Sequence, residues 1–275
     1  MRNLTAILVL LTSVLCPLIS ASEEYVQACR ADLNLETESA SMPLADFTNC
    51  VFWMDANAGD FNTAATNYFI PDLSTNRNDA TQPNISSQPA RVFTNKVWTF
   101  KYDGANDHVS IQPNALDLDA PFSISLWVKR NGSPSGSFPA LISKGTGDFT
   151  TTGSPNHGLI IINVSGTFSF RLSDEIMNTI VESSLGSITD GLWHNLVCVW
   201  NGAAAHTYKN AAQTGSAAWA FAGSLNSSSS FTIGRWAQFY RHFNGDIDGV
   251  RFYQKALTAG EISLIYDAGK WRRGE

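Results

Sequence analysis

The strongest constraint on this chain is how often its apolar stretches are broken. From Phe47 onward, short hydrophobic runs are separated by Gly, Asn, Ser and Pro, which suits strands and turns better than helices. Phe122, Ile124, Leu126 and Val128 alternate with Ser123, Ser125, Trp127 and Lys129, the period of a strand with one covered face. Residues 158–164 form an unbroken apolar run, which predicts a strand covered on both faces. Residues 167–172, 193–200, 205–209, 231–233 and 247–253 continue the series, and Asn131-Gly132, Asn201-Gly202 and Asn244-Gly245 mark turns. One helix is predicted: Thr258 and Glu261 form a capping-box pair, Ile262, Ile265 and Tyr266 share a face, and Gly269 reads as the stop. Many short strands and one short C-terminal helix predict an all-β jelly-roll β-sandwich of two antiparallel sheets.

The N-terminus has the order of a secretory signal peptide. Arg2 precedes an apolar run from Leu4 through Leu15 to Ile19, followed by Ser20, Ala21 and the acidic pair Glu23 and Glu24. Thr12, Ser13 and Pro17 leave that run short for a membrane span. Residues 1–21 are therefore expected to be cleaved, giving an extracellular or cell-surface protein with no span after cleavage. Residues 22–46 read as a polar lead-in, 47–270 as one domain, and 271–275 as a solvated basic tail. Export allows Cys29 and Cys50 to form a disulfide closing about 20 residues, a contribution of roughly 3 kcal/mol. Cys198 reads as a buried free thiol. Charged residues make up 15% of the chain and the net charge is −6, which excludes the basic footprint of a nucleic-acid binder.

Several stretches, in order, carry a resemblance. Val51-Phe52-Trp53-Met54-Asp55, the loop from Asp72-Leu73-Ser74 to Asn78-Asp79-Ala80-Thr81-Gln82, and Phe100–Val109 with its Tyr102-Asp103-Gly104 open it. Residues 122–128, Asp190-Gly191-Leu192-Trp193-His194, Phe243-Asn244-Gly245-Asp246-Ile247-Asp248-Gly249-Val250-Arg251-Phe252-Tyr253 and Ala256-Leu257-Thr258 with Glu261-Ile262 complete it. Together they resemble the laminin-G-like branch of the concanavalin A-like lectin/glucanase superfamily, over nearly the whole domain. The loop at Ser74-Thr75-Asn76-Arg77 lacks the glycines of that pattern, and Gly249 stands where an acidic residue is common.

The resemblance implies a binding module for carbohydrate or a glycosylated surface. A structural or adhesive component of an extracellular assembly, contacting itself or other extracellular proteins, is the alternative. Glucanases of this superfamily need two carboxylates flanking one groove. Here Glu175, Glu182 and Glu261 stand alone, and the spaced pair Asp246 and Asp248 reads as an anchor for a terminal strand or a metal. No catalytic residues are therefore assigned. The resemblance also implies calcium, held between the early Asn/Asp loop and the later strand by Asp72, Asn78, Asp103, Asp107, Asp246 and Asp248. The competing reading is that these side chains satisfy their own turns. For ligand contact, Arg235, Trp236, Phe239, Tyr240, Arg241 and His242 combine aromatic faces with hydrogen-bond donors. The same types serve a sugar, a protein anchor, or packing beneath a loop.

Overall fold

The computed structural model describes residues 49–57, 68–94, 97–132, 138–150, 157–176, 180–270 and 273. The expected signal peptide, the lead-in and Cys29 lie outside these residues.

The chain runs through β1 (Cys50–Met54), β2 (Phe69–Ile70), β3 (Ala80–Thr81), β4 (Ala90–Thr94), β5 (Val97–Asp103) and β6 (Val109–Ile111). It continues as β7 (Phe122–Arg130), β8 (Ala140–Thr146), β9 (His157–Val164), β10 (Thr167–Ser173), β11 (Val181–Ser187) and β12 (Trp193–Trp200). Then come β13 (Ala204–Lys209), β14 (Ala212–Ala218), β15 (Phe231–Ile233), β16 (Arg235–Trp236), β17 (Arg241–His242), β18 (Asn244–Tyr253) and helix α1 (Ala259–Lys270).

Two antiparallel sheets face each other, as the sequence predicts. The first has the order β14-β13-β12-β7-β18-β5-β4, with β1 also paired to β18, and the second β11-β10-β9-β8-β15-β6-β3-β2. β18 organises the first sheet. Its register breaks between Asp248 and Arg251 on the β7 side. On the other side its first half pairs with β5 and its second half with β1. A bulge that bends a strand lets one long element serve two neighbours in this way.

The core lies between the sheets. Phe122, Ile124, Leu126 and Val128 of β7 and Leu196, Cys198 and Trp200 of β12 meet Leu159, Ile161, Phe168, Phe170 and Leu172. Phe122 meets Phe170 edge-on at 6.3 Å, and Phe252 lies 4.8 Å from Phe231. Each such side chain contributes about 1.5–3 kcal/mol on burial, and Cys198 is the buried free thiol expected.

Three expectations need correction. β7 is covered on both faces, because α1 packs on its outer side: Tyr266 stacks on Trp127 at 5.7 Å, and Ser123 Oγ donates to the Lys255 carbonyl at 2.8 Å. Thr258 and Glu261 do cap α1 reciprocally, yet Gly269 lies inside it. A Cβ there would stand 2.5 Å from Trp127 Nε1, so glycine is needed for close approach and not as a stop. Residue 273 does not belong to a solvated tail. The Arg273 guanidinium is buried, pairs with Asp248 and lies over Trp127 and Trp193. Cys50 is buried, with its thiol donating to the Phe52 carbonyl at 3.2 Å, and burial pushes it up to about 12; its expected disulfide partner, Cys29, lies outside the described residues.

β9 is covered on both faces as expected. Leu159 and Ile161 enter the central core, whereas Ile160 and Ile162 join Ala140, Phe149 and Trp236 in a second apolar cluster on the other side of the sheet. That second cluster positions the site described next.

Candidate functional site

The oxygens expected to gather around calcium are engaged by donors of the chain itself. Buried Asp72 accepts the backbone N–H groups of Trp53 (2.8 Å), Ser74 (2.9 Å) and Asn78 (2.8 Å), plus the Ser74 hydroxyl (2.8 Å). Asn78 thus serves Asp72, and its side-chain amide is directed at the Val51 carbonyl. Asp103 accepts the N–H groups of Ala105, Asn106 and Asp107, while Asp107 accepts that of Asp103. Burial, reinforced by the Asp103 charge and partly offset by that N–H, raises Asp107 to about 6.

Asp246 accepts Thr99 Oγ1 and Asn131 Nδ2 and pairs with Lys129 at 3.1 Å. Asp248 accepts the Ala56 N–H at 2.8 Å and pairs with Arg273. Among the described residues, no group of three or more His, Cys, Asp or Glu is placed to hold a metal. Calcium needs six to eight oxygens converging on one point, and four separate sets already satisfied by N–H groups and cations do not fit that cage.

A second pair of carboxylates also couples electrostatically. Asp55 and Asp248 are 7% and 0% exposed, and burial followed by the Asp55 charge raises Asp248 to about 6 against the opposing pull of Arg273. An open cleft between two acids, as glycoside hydrolysis requires, is not what surrounds this pair.

The aromatic segment forms a small hairpin with two different faces. It starts at Gly234, whose φ is +90° and where a Cβ would lie 2.3 Å from the Tyr102 ring. β16 and β17 then pair Arg235 with His242 and Trp236 with Arg241. Directly opposed residues share a face, so Trp236 and Arg241 lie on one side and Arg235 and His242 on the other.

The inner side is an anchor. Trp236 is 2% exposed, meets Phe149 at 6.5 Å and Phe239 at 4.7 Å, and joins the second apolar cluster. The Arg241 guanidinium stands 4.9–5.2 Å from the rings of Phe138, Trp236 and Phe239. Ser143 Oγ donates to the Arg235 carbonyl at 2.9 Å and accepts the Ala237 N–H, and Gln238 Oε1 accepts the Gly147 N–H. The hairpin is therefore tied to β8 and to the loop after it.

The outer side is open. Tyr240 is 73% exposed with φ +51°, and Phe239 is 38% exposed. A tyrosine in the left-handed region is uncommon and marks a position held by its surroundings. The Arg235 guanidinium lies 5.5 Å from the Tyr240 ring. Beneath them, the rings of His242 and His108 are 6.1 Å apart. His108 donates from Nδ1 to the Asn106 carbonyl at 2.8 Å, leaving Nε2 to accept the Gln82 amide at 2.8 Å. Burial, then the charges of Arg235 and His242, lowers His108 to about 4 against the Asn106 hydrogen bond. Burial and Arg235 also lower His242, against the opposing Asp103 charge and Tyr240 carbonyl. Both rings are therefore neutral near pH 7.

Of the six aromatic and basic residues singled out in the sequence, the hairpin brings all together but divides them. Trp236 and Arg241 are structural, while Arg235, Tyr240 and, at the edge, Phe239 face outward over His242. Sequence reasoning did not place His108 and Asn106 at this site. They arrive from the β5–β6 connection, and no local pattern links them to residue 235.

Comparison with solved structures gives the same architecture. The binding domain of Paraclostridial Mosquitocidal Protein 1 superposes with a TM-score of 0.64 at 16% identity, over 81% of this chain and 53% of that one. The botulinum neurotoxin serotype D ligand binding domain, solved in complex with N-acetylneuraminic acid, gives 0.59 at 14% identity over 80% and 51%. The binding domain of botulinum neurotoxin DC, in complex with a compound designated SialylT, gives 0.57 at 15% identity over 81% and 52%. At these identities the likeness is one of fold, and the chain spans about half the length of the structures it matches. No curated protein matches the sequence. A laminin-G-type family model described as the concanavalin A-like lectin/glucanases superfamily matches residues 103–263, more than half of the chain. The region from Asp103 through β18 into α1 is thus accounted for as one continuous unit, and the chain belongs to the concanavalin A-like lectin/glucanases superfamily.

Proposed function

We propose that this protein is a secreted, non-catalytic module that binds carbohydrate through the outer face of the β16–β17 hairpin. The observation that carries this reading is the division of the hairpin: Trp236 is buried as an anchor, and Tyr240 is held out, 73% exposed, beside Arg235. An aromatic ring fixed in water beside a hydrogen-bond donor matches the two needs of a pyranose, an apolar face and hydroxyls. The order of the N-terminal sequence supports export. Among the described residues, no helix is long and apolar enough to cross a membrane. The protein donors around Asp72, Asp103, Asp246 and Asp248 support recognition that does not need calcium.

A glycan array probed with the wild-type protein and with Tyr240→Ala, each with calcium and with chelator, tests this. The expected result is binding to at least one glycan class, insensitive to chelator and weakened about tenfold by the loss of one stacked ring. No binding to any glycan, or equal binding by Tyr240→Ala, would refute it.

A second reading, an adhesive component of an extracellular assembly, has one observation in its favour. Phe93 is 58% exposed on β4, at the end of the first sheet, and lies 5.1 Å from Trp98. An apolar side chain on a sheet edge favours contact with another chain. Sedimentation of the wild type beside Phe93→Ser separates the two, since only assembly through this edge makes the variant lighter.

A further inference from the structure

We propose that the ligand of the hairpin is an acidic sugar, whose carboxylate meets Arg235 while its ring lies on Tyr240. This rests on the carbohydrate-binding reading above and narrows it.

Charge bookkeeping around the hairpin leads there. Arg130 pairs with Asp190, Arg171 with Glu182 and Arg273 with Asp248. Among the described residues, neither Arg235 nor Arg241 has an acid within ion-pair distance. Their situations differ. Arg241 is caged by Phe138, Trp236 and Phe239 on the inner side, where the rings themselves face the cation. Arg235 is half-buried on the outer side with one ring beside it, and withdrawal from water already disfavours its charged form. A half-desolvated guanidinium with no counter-charge gains more from an arriving carboxylate than a fully hydrated one.

The neighbouring groups do not cancel this charge. His108 and His242 are neutral near pH 7 and so bring no repulsion or attraction of their own. Two acids lie in this neighbourhood, and both are turned to backbone N–H groups: Asp103 to those of Ala105, Asn106 and Asp107, and Asp107 to that of Asp103. One donor at this place is also unmatched: among the described residues, Arg235 Nε has no hydrogen-bond partner. Buried polar atoms are ordinarily paired. A carboxylate accepts from a guanidinium in a two-pronged geometry that a sugar hydroxyl cannot reproduce. The sugar ring adjacent to that carboxylate then falls over Tyr240, whose φ of +51° turns it outward.

Calorimetric titration compares 3′-sialyllactose with lactose, and a glucuronate-terminated disaccharide with its glucose-terminated counterpart. At least one acidic member should bind about tenfold or more tightly than its neutral parent, the increment of a charge-assisted bidentate contact. Arg235→Gln should remove that preference, and Arg235→Lys, which keeps charge but not the fork, should restore only part of it. Raised salt should weaken the acidic sugar and leave the neutral one unchanged, a wild-type measurement that needs no variant to fold. Equal binding of acidic and neutral members, abolished by Tyr240→Ala, would overturn the acidic-sugar inference and leave the carbohydrate reading standing. Binding of none of the four would count against both. Retention of the acidic preference by Arg235→Gln would overturn the role of Arg235.

Discussion

Replacing Arg273 by alanine examines how the outer face of the first sheet is held. The guanidinium pairs with Asp248, whose side chain is fully buried, and it sits 4.6 Å from the Trp127 ring and 5.3 Å from the Trp193 ring. Removing one partner of a buried ion pair leaves the other charge unanswered, a cost of about 3–5 kcal/mol. For a domain of this size that is a fall in Tm of roughly 6–20 °C, at about 2–4 °C per kcal/mol. The pH dependence separates charge from packing. With Arg273 present, burial and Asp55 already raise Asp248 from 3.8 to about 6, and removing the cation raises it further. A carboxyl whose folded value lies above its unfolded one favours folding when protonated, so its penalty is complete above the folded value and fades below it. The deficit of Arg273→Ala should therefore be large at pH 8 and shrink at pH 5 to what the lost ring contacts contribute, about 0.5–2 kcal/mol. Urea titrations followed by tryptophan fluorescence at both pH values measure this. Asp248→Asn in the same background should recover most of the pH 8 loss. A deficit equal at pH 5 and pH 8, or below about 1 kcal/mol at pH 8, would refute the reasoning, because no uncompensated charge would then be present.

Other perturbations follow from the packing. Trp236→Ala empties the anchor beneath the hairpin and should cost about 3–5 kcal/mol while releasing the 235–242 segment to proteolysis, read by thermal melting and limited digestion. Lys144→Met removes an ammonium that donates to the carbonyls of Pro113 (2.7 Å), Ser227 (2.8 Å) and Ser229 (2.9 Å). Three carbonyls left without that donor should lower stability by about 2–5 kcal/mol in urea, and an unchanged midpoint would show that water replaces the ammonium freely. Gly269→Ala gains up to about 1 kcal/mol in helix propensity yet places a Cβ against Trp127, so a net loss of Tm is expected, and a gain would mean the ring yields.

The strand pattern was legible because period-two alternation and turn residues are local. The runs at 122–128, 158–164 and 193–200 all became strands at nearly the expected bounds. What covers a strand is not local. Ser123 and Trp127 read as part of a half-exposed face until Lys255 and, in α1, Tyr266, each more than 130 residues later, are laid against them. β8 was missed because Ser143 and Lys144 interrupt its apolar run, and their partners lie at residues 113, 227–229 and 235. The residue types of the hairpin stood out in the sequence, but its division into a buried and an open face depends on Arg235 pairing with His242. The calcium expectation rested on residue types, and composition does not say what those oxygens face. An Asp or Asn in a turn has the same letters whether it faces a cation or its own backbone N–H groups, and around Asp72 and Asp103 it faces the N–H groups.

Asp248 receives the amide of residue 56 and the guanidinium of residue 273, so positions separated by almost the entire sandwich close on a single side chain. Loosening either segment therefore withdraws a partner from the same buried acid, and the side chain works as a clasp between stretches that share no strand.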